Sequence, residues 1–328
     1  MTFSSHSSWN PKCFKLITVN KSKYVYKIAV QTNTATAWGL EDVSNLLDLS
    51  GTGVKVIGVI NAGVRAALAD WEKDTDYAIG VMATPGTISS GAYQRTINEI
   101  AAQKGLNGKI TVVNQSALGF ANAVDGVSDY VKSGIYSPRE EYRGPIMGSS
   151  DDQINPSIIE RYFFDYSNGA LLYSKSNGEF DQIQLNSADN YARFHLVSLV
   201  EKHRKSGCDV PLKSIILGCT HYPFHLEVLN KTIEQLRNYK KDGVYIYKNC
   251  IAEDFTFIDP AQYTAKECYK LLRENHELAL RTSPGKLYPY ISIPSYGLDA
   301  KNLDEDGNLT YDFKYGRAVG TEDITTKV

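Results

Sequence analysis

Leu212-Lys213-Ser214-Ile215-Ile216-Leu217-Gly218-Cys219-Thr220-His221-Tyr222-Pro223 decides the fold class. A short apolar run ends in glycine and small polar residues, and Pro223 stands where a first helical turn accepts one, so a strand hands over to a helix. The same succession recurs upstream. Tyr26–Val30 precedes the loop Gln31-Thr32-Asn33-Thr34 and a helical run Ala35–Leu49. Val54–Ile60, β-branched and almost continuously apolar, precedes Asn61-Ala62-Gly63 and a helix Val64–Trp71. Tyr77–Ala83 precedes Thr84-Pro85-Gly86-Thr87 and a helix from Ser89 to about Lys104, and Lys109–Val113 leads into Asn114-Gln115-Ser116. Downstream, Tyr245–Tyr247 and Phe255–Ile258 read as late strands, and Ala261–Arg273 as a helix after Asp259-Pro260. Strands alternating with helices predict an α/β fold, a mostly parallel sheet with helices on its faces.

Composition narrows the class. The chain has 328 residues, 42% hydrophobic and 22% charged, with a formal net charge of −2 from 35 basic and 37 acidic residues. No apolar stretch approaches the roughly 18 residues of a membrane span, and Met1 to Asn10 lacks the apolar core of a signal peptide. No basic cluster offers a grip on nucleic acid. Cys13, Cys208, Cys219, Cys250 and Cys268 are odd in number and scattered, which fits a reducing, cytoplasmic setting and argues against a disulfide framework or a thiolate zinc site.

Two stretches break the alternation. Residues 126–190 are rich in Tyr, Ser, Asn and Gly and include Asn177-Gly178 between short apolar runs, a hairpin signal, so they read as an insertion near the cleft. Residues 282–328 form an atypical tail with a turn at Asp304-Glu305-Asp306-Gly307-Asn308. Asn302, Asp304, Asp306 and Gly307 partly fit a calcium loop, but Phe313 stands where the bidentate glutamate belongs, and a surface hairpin is the plainer reading.

In parallel α/β sheets, ligands bind beyond the carboxyl ends of the strands. The loops there carry short hydroxyls and amides and no Lys or Arg, which suits a small carboxylate better than a polyphosphate. No GxxxxGK[ST] occurs, and Gly51-Thr52-Gly53 precedes a strand, so a dinucleotide reading fails. Cys219, facing a helix start, is the candidate nucleophile or base. There the dipole and amides are expected to lower its pKa, with His221 to orient it or exchange protons. An inert buried thiol and a capping histidine are the alternatives at these two positions.

These residues carry a resemblance. Leu217-Gly218-Cys219-Thr220-His221-Tyr222-Pro223 resembles the second-cysteine motif of glutamate racemases, within the aspartate/glutamate racemase superfamily. Gln31-Thr32-Asn33-Thr34-Ala35-Thr36-Ala37 resembles the first-cysteine motif, and Gly58 to Ala67 the Gly-Val-Ile-Glu-Pro-Gly-Ala-Arg-Ala-Ala segment. Thr84-Pro85-Gly86-Thr87 with Ser90 and Tyr93, and Ile258-Asp259-Pro260-Ala261, follow in the family's order, the resemblance covering roughly residues 24–125 and 210–272. It implies two pseudo-symmetric lobes with the active-site cleft between them: 1–83 plus 241–328 as the first, 84–240 with the insertion as the second. It also implies a cofactor-independent racemase of glutamate or aspartate, in the supply of a peptidoglycan precursor for the cell wall, with a possible homodimer and no nucleic-acid or membrane partner. Two opposed thiols would exchange the α-proton, since inversion needs an acid and a base on opposite faces of one carbon. The resemblance assigns catalysis to Cys219, Thr32, His221 and Asp125. It assigns substrate binding to Asn33, Thr34, Thr84, Thr87 and Thr220.

The departures are specific. Thr32 replaces the first cysteine, and an alcohol is a far poorer base than a thiolate. Asp125 stands for a glutamate, and Asn114-Gln115-Ser116 for Ala-Cys-Pro. No Asp-Ser-Gly tripeptide occurs, so the opening βα unit is missing and leaves a sheet edge bare unless Met1–Lys23 or residues 282–328 cover it. An impaired or one-sided racemase is therefore expected. A single-cysteine decarboxylase or isomerase of the superfamily and a non-catalytic carboxylate-binding descendant are the competing readings.

Overall fold

The computed structural model describes residues 14–18, 26–30, 33–51, 55–207, 210–276, 278, 297–303, 307, 309–310 and 313. By internal contacts the chain divides into two units, one of Met1–Lys15 with Leu280–Val328, the other of Leu16–Ala279. Cys13, Cys208, Thr32 and most of the 282–328 tail, including the Asp304–Asp306 turn, lie outside the described residues.

In chain order the elements are β1 (Phe14–Thr18), β2 (Tyr26–Val30), α1 (Asn33–Leu49), β3 (Val56–Gly58), α2 (Val59–Ala67), β4 (Tyr77–Ala83), α3 (Pro85–Ser89), α4 (Ala92–Lys104), β5 (Ile110–Ser116) and α5 (Phe120–Val124). There follow β6 (Leu171–Ser176), β7 (Glu179–Leu185), α6 (Ala188–Lys205), β8 (Leu212–Gly218), α7 (Leu226–Asn238), β9 (Lys240–Lys241), β10 (Val244–Tyr245), β11 (Ile251–Ile258) and α8 (Pro260–Glu274).

The expected α/β architecture is present. One sheet has the order β11-β8-β4-β5, all parallel. Side chains alternate across β4 because a strand repeats every two residues. Ala78 and Met82 join a cluster with Phe194, Val197 and Leu217, while Ile79, Val81 and Ala83 join another with Ile60, Val64, Ile97 and Ile216. Helix α6 thus covers one face and α2 with α4 the other, so β4 is buried along its whole length. A smaller sheet has the order β1-β2-β3, with β2 and β3 parallel. The edge beside β2, expected to need a cover from Met1–Lys23 or the tail, is occupied by β1. The four-stranded sheet also joins β4 and β11 to β5 and β8, across both expected lobe boundaries, at 83/84 and 240/241.

Several elements differ from their sequence reading. The strand expected at Val54–Ile60 ends at Gly58, and α2 starts at Val59, so Asn61-Ala62-Gly63 is helical rather than a loop. Val59 and Ile60 look like strand residues, but Ile60, Val64 and Leu68 repeat at helical spacing and bury together. Asn114-Gln115-Ser116 belongs to β5. Gln115 is fully buried, its Nε2 donating to His195 Nδ1 at 3.2 Å, while His195 Nε2–H donates to Leu118 O at 3.0 Å. Tyr245–Tyr247 is not one strand: Val244–Tyr245 pairs with Lys240–Lys241, and Tyr247 is buried in the core. The hairpin read at Asn177-Gly178 is β6–β7, both turn residues having positive φ, 52° and 89°.

A buried ionic knot ties the 126–190 insertion to the sheet's cover. Glu201 on α6 accepts from Arg161 Nη1 at 3.0 Å, from Arg204 Nη2 at 2.7 Å and from the Tyr247 hydroxyl. Burial pushes its carboxyl up, but these three donors outweigh burial and hold it below the usual range. Glu201→Gln leaves buried Arg161 without its counter-charge. Urea unfolding is expected to show a loss of about 3 kcal/mol, with near-native far-UV circular dichroism before the transition.

Candidate active site

The site lies at the carboxyl end of the four-stranded sheet. β8 ends at Gly218, and Cys219 follows, half-buried. A Cβ on Gly218 would stand 2.7 Å from Ala83 Cβ and 3.1 Å from Tyr93 Cε2. Glycine is therefore required where β8, β4 and the Tyr93 ring converge just before the thiol.

Cys219 Sγ lies 3.3 Å from His221 Nδ1, and His221 Nε2 lies 3.1 Å from Asp125 Oδ1. Asp125 closes α5, so the carboxylate reaches the cysteine loop from the segment after β5. A carboxylate facing Nε2 favours the tautomer that carries its proton there, in which Nδ1 accepts from the thiol. Sulfur, imidazole and carboxylate thus form a line along which the thiol proton can move to His221 and leave an imidazolium beside Asp125.

The expected lowering of the thiol pKa is not what the structure shows. Burial pushes the Cys219 thiol up to about 11; the His221 and Thr220 amides pull it down and Asp125 adds to the rise. Burial is the physical reason, and the next element does little to offset it. Tyr222–His225 is a single 3-10 turn and α7 begins only at Leu226, so no long helix dipole points at the sulfur.

The other expected residues are placed unevenly. Asn33 is the first residue of α1, and its Oδ1 accepts from the Tyr93 hydroxyl at 2.5 Å. Thr84 and Thr87 face each other after β4, their hydroxyls 3.1 Å apart, with Thr87 buried. Thr220 is exposed beside Cys219. Thr34 lies in the first turn of α1, with its side chain outside the described set, as is all of Thr32. The sequence reading missed two tyrosines as parts of the site. Tyr93 was visible only as a member of the Thr84 segment. Tyr222 is fully buried, its hydroxyl has no hydrogen-bond partner among the described residues, and burial, then the nearby Cys219, raises its pKa.

A separate cavity of about 470 Å³ lies among α1, the start of α2 and α4, lined by residues that include Thr36, Leu40, Asn61, Arg95, Thr96 and Glu99. None of the described site residues lines it. No cluster of three or more His, Cys, Asp or Glu able to hold a metal occurs among the described residues. Nor, among them, is any helix long and apolar enough to cross a membrane.

No family model matches the chain. Curated relatives that it matches include glutamate racemases. One from Oceanobacillus iheyensis is 31% identical over 144 residues, 42% of this chain and 49% of the relative. Another, from Lysinibacillus sphaericus, is 26% identical over 284 residues, 86% of this chain and 72% of the relative. The match to the first therefore spans about half that protein's length. A solved glutamate racemase isoform of Bacillus anthracis superposes with a TM-score of 0.43 at 21% identity, covering 76% of this chain and 59% of that one. The chain is thus similar to glutamate racemases over parts of its length.

Titration of thiolate ultraviolet absorbance, taken as the difference between the wild type and Cys219→Ser, is expected to give a midpoint near pH 11. Asp125→Asn removes a negative charge that opposes ionisation and is expected to move that midpoint to lower pH.

Proposed function

We propose that the protein moves the α-proton of an acidic amino acid, glutamate or aspartate, through Cys219, as a cofactor-independent racemase-like isomerase. The observation that carries this reading is the Cys219–His221–Asp125 line at the carboxyl end of a central parallel strand. In the forward half-reaction the thiol proton passes to His221, and Asp125 stabilises the imidazolium. The Cys219 thiolate then takes the α-proton, breaking the Cα–H bond and forming S–H, while the electron pair stays on the substrate as a carbanion delocalised into its carboxylate. Asn33, Thr34, Thr84, Thr87 and Thr220, with nearby amides, hold the substrate's polar groups. Its ammonium group brings a positive charge toward the sulfur, which offsets Asp125 and favours the thiolate in the complex.

Inversion needs a proton from the opposite face, where the first-cysteine motif offers Thr32. An alcohol donates a hydrogen bond or relays a proton through water but is a poor base, so exchange from the face of Cys219 outruns inversion. A thiol that burial pushes up to about 11 favours a second reading, a carboxylate-binding protein without turnover.

Deuterium incorporation at Cα of L-glutamate in heavy water separates the two. Exchange faster than inversion is expected in the wild type. In Cys219→Ala it is expected to fall by about 10²-fold or more, while Thr32→Cys raises inversion. Exchange that survives Cys219→Ala refutes the role of the thiol. Calorimetric binding of glutamate with no exchange selects the binding protein.

A further inference from the structure

Tyr93, on α4, touches both halves of the site. One edge of its ring packs where a Cβ of Gly218 would be, immediately before Cys219. Its hydroxyl donates to Asn33 Oδ1 at 2.5 Å, at the start of the helix that follows β2 in the other sheet. Both side chains are buried, Tyr93 at 2% exposure and Asn33 at 5%. A carboxamide has two unlike ends, an acceptor oxygen and a donor NH2, and nothing in its shape distinguishes them. A phenol that stays protonated does. Burial first, and the neighbouring Cys219 second, push the Tyr93 pKa far up, so the hydroxyl is a permanent donor and selects Oδ1 as its partner. Nδ2 then faces away from Tyr93, and it makes no hydrogen bond among the described residues, although Asn33 is about nineteen-twentieths buried. Nδ2 is not among the fully enclosed unpartnered atoms, so its N–H donors stand open to an acceptor that a ligand supplies.

We propose that Tyr93 is a positioning residue. By occupying Asn33 Oδ1 it presents the Asn33 Nδ2–H donors to a carboxylate of the bound amino acid, and it keys that donor to the strand end that carries Cys219. The proposal rests on the reading that an acidic amino acid binds here. It adds how the site selects the anionic end of that ligand, a role the chemistry at sulfur does not require of Tyr93.

Tyr93→Phe keeps the ring against Gly218 and removes only the hydroxyl, so the Asn33 amide is free to flip. L-Glutamate binding by calorimetry, and KM for α-proton exchange, are expected to weaken about tenfold, with kcat within about threefold of wild type. Asn33→Ala is expected to weaken binding at least as much. The double variant should be no worse than Asn33→Ala alone, because the hydroxyl acts only through that amide. A fall in kcat with unchanged binding, or two losses that multiply, overturns the proposal and leaves the thiol assignment standing. A wild type that neither binds nor exchanges glutamate or aspartate is a different result, which removes the functional reading and this proposal with it. Should Tyr93→Phe fail to fold, Asn33→Asp is decisive. It keeps an acceptor for Tyr93 but replaces the NH2 donor with carboxylate oxygen, so binding should fall by about 100-fold; wild-type affinity there refutes the role of Nδ2.

Discussion

Gly218 and Ala83 end adjacent parallel strands so close together that a Cβ on Gly218 would stand 2.7 Å from that of Ala83 and 3.2 Å from Met82 O. The organisation of the site follows from this approach. Because β8 and β4 stop side by side, Cys219 and Thr84, the first residues beyond them, emerge on the same edge of the sheet. The space left by the missing side chain is filled by the Tyr93 ring, which brings the start of α4 under the thiol. Residues in the two loops are thereby fixed by backbone packing in the core rather than by surface contacts, and the core supports this with apolar clusters on both faces of β4.

Electrostatics then sets the resting state. A half-enclosed sulfur pays for lost hydration when it ionises, and two amides do not compensate for that loss. Asp125 has opposite effects on two states of the same line. It disfavours an isolated thiolate, yet it favours a thiolate–imidazolium pair because its carboxylate stands 3.1 Å from Nε2 of the charged ring. The thiol therefore keeps its proton at neutral pH.

Much of this was legible in the residues. The strand-to-helix succession located β2, β4, β8 and α8 closely, since buried parallel strands carry continuous apolar runs and Asp259-Pro260 marks a helix start, with Asp259 Oδ1 accepting from the Ala261 amide at 2.9 Å. Cys219, His221 and Asp125 were picked out and do meet. What misled was local propensity overridden by tertiary packing. Val59 and Ile60 favour strands in isolation, but the pairing of β3 with β2 ends at Gly58, and their side chains bury better from a helix. Gln115 looked like a loop amide and is an interior partner of His195. The direction of the Cys219 shift was not legible, because it depends on how deeply the sulfur is enclosed and on the 3-10 turn that replaces a full helix. Tyr93 was quoted within a motif without a role, since its link to Asn33 bridges 60 positions of sequence.

The proton that Cys219 retains has a consequence for durability. Peroxides and electrophiles attack the thiolate, and sulfenic acid, the first rung of cysteine oxidation, forms from that species. A sulfur whose pKa is pushed up to about 11 presents little of it at neutral pH. The burial that raises the pKa of this sulfur thus shelters a half-buried thiol from oxidative damage, since the protonated form is the slow one to react.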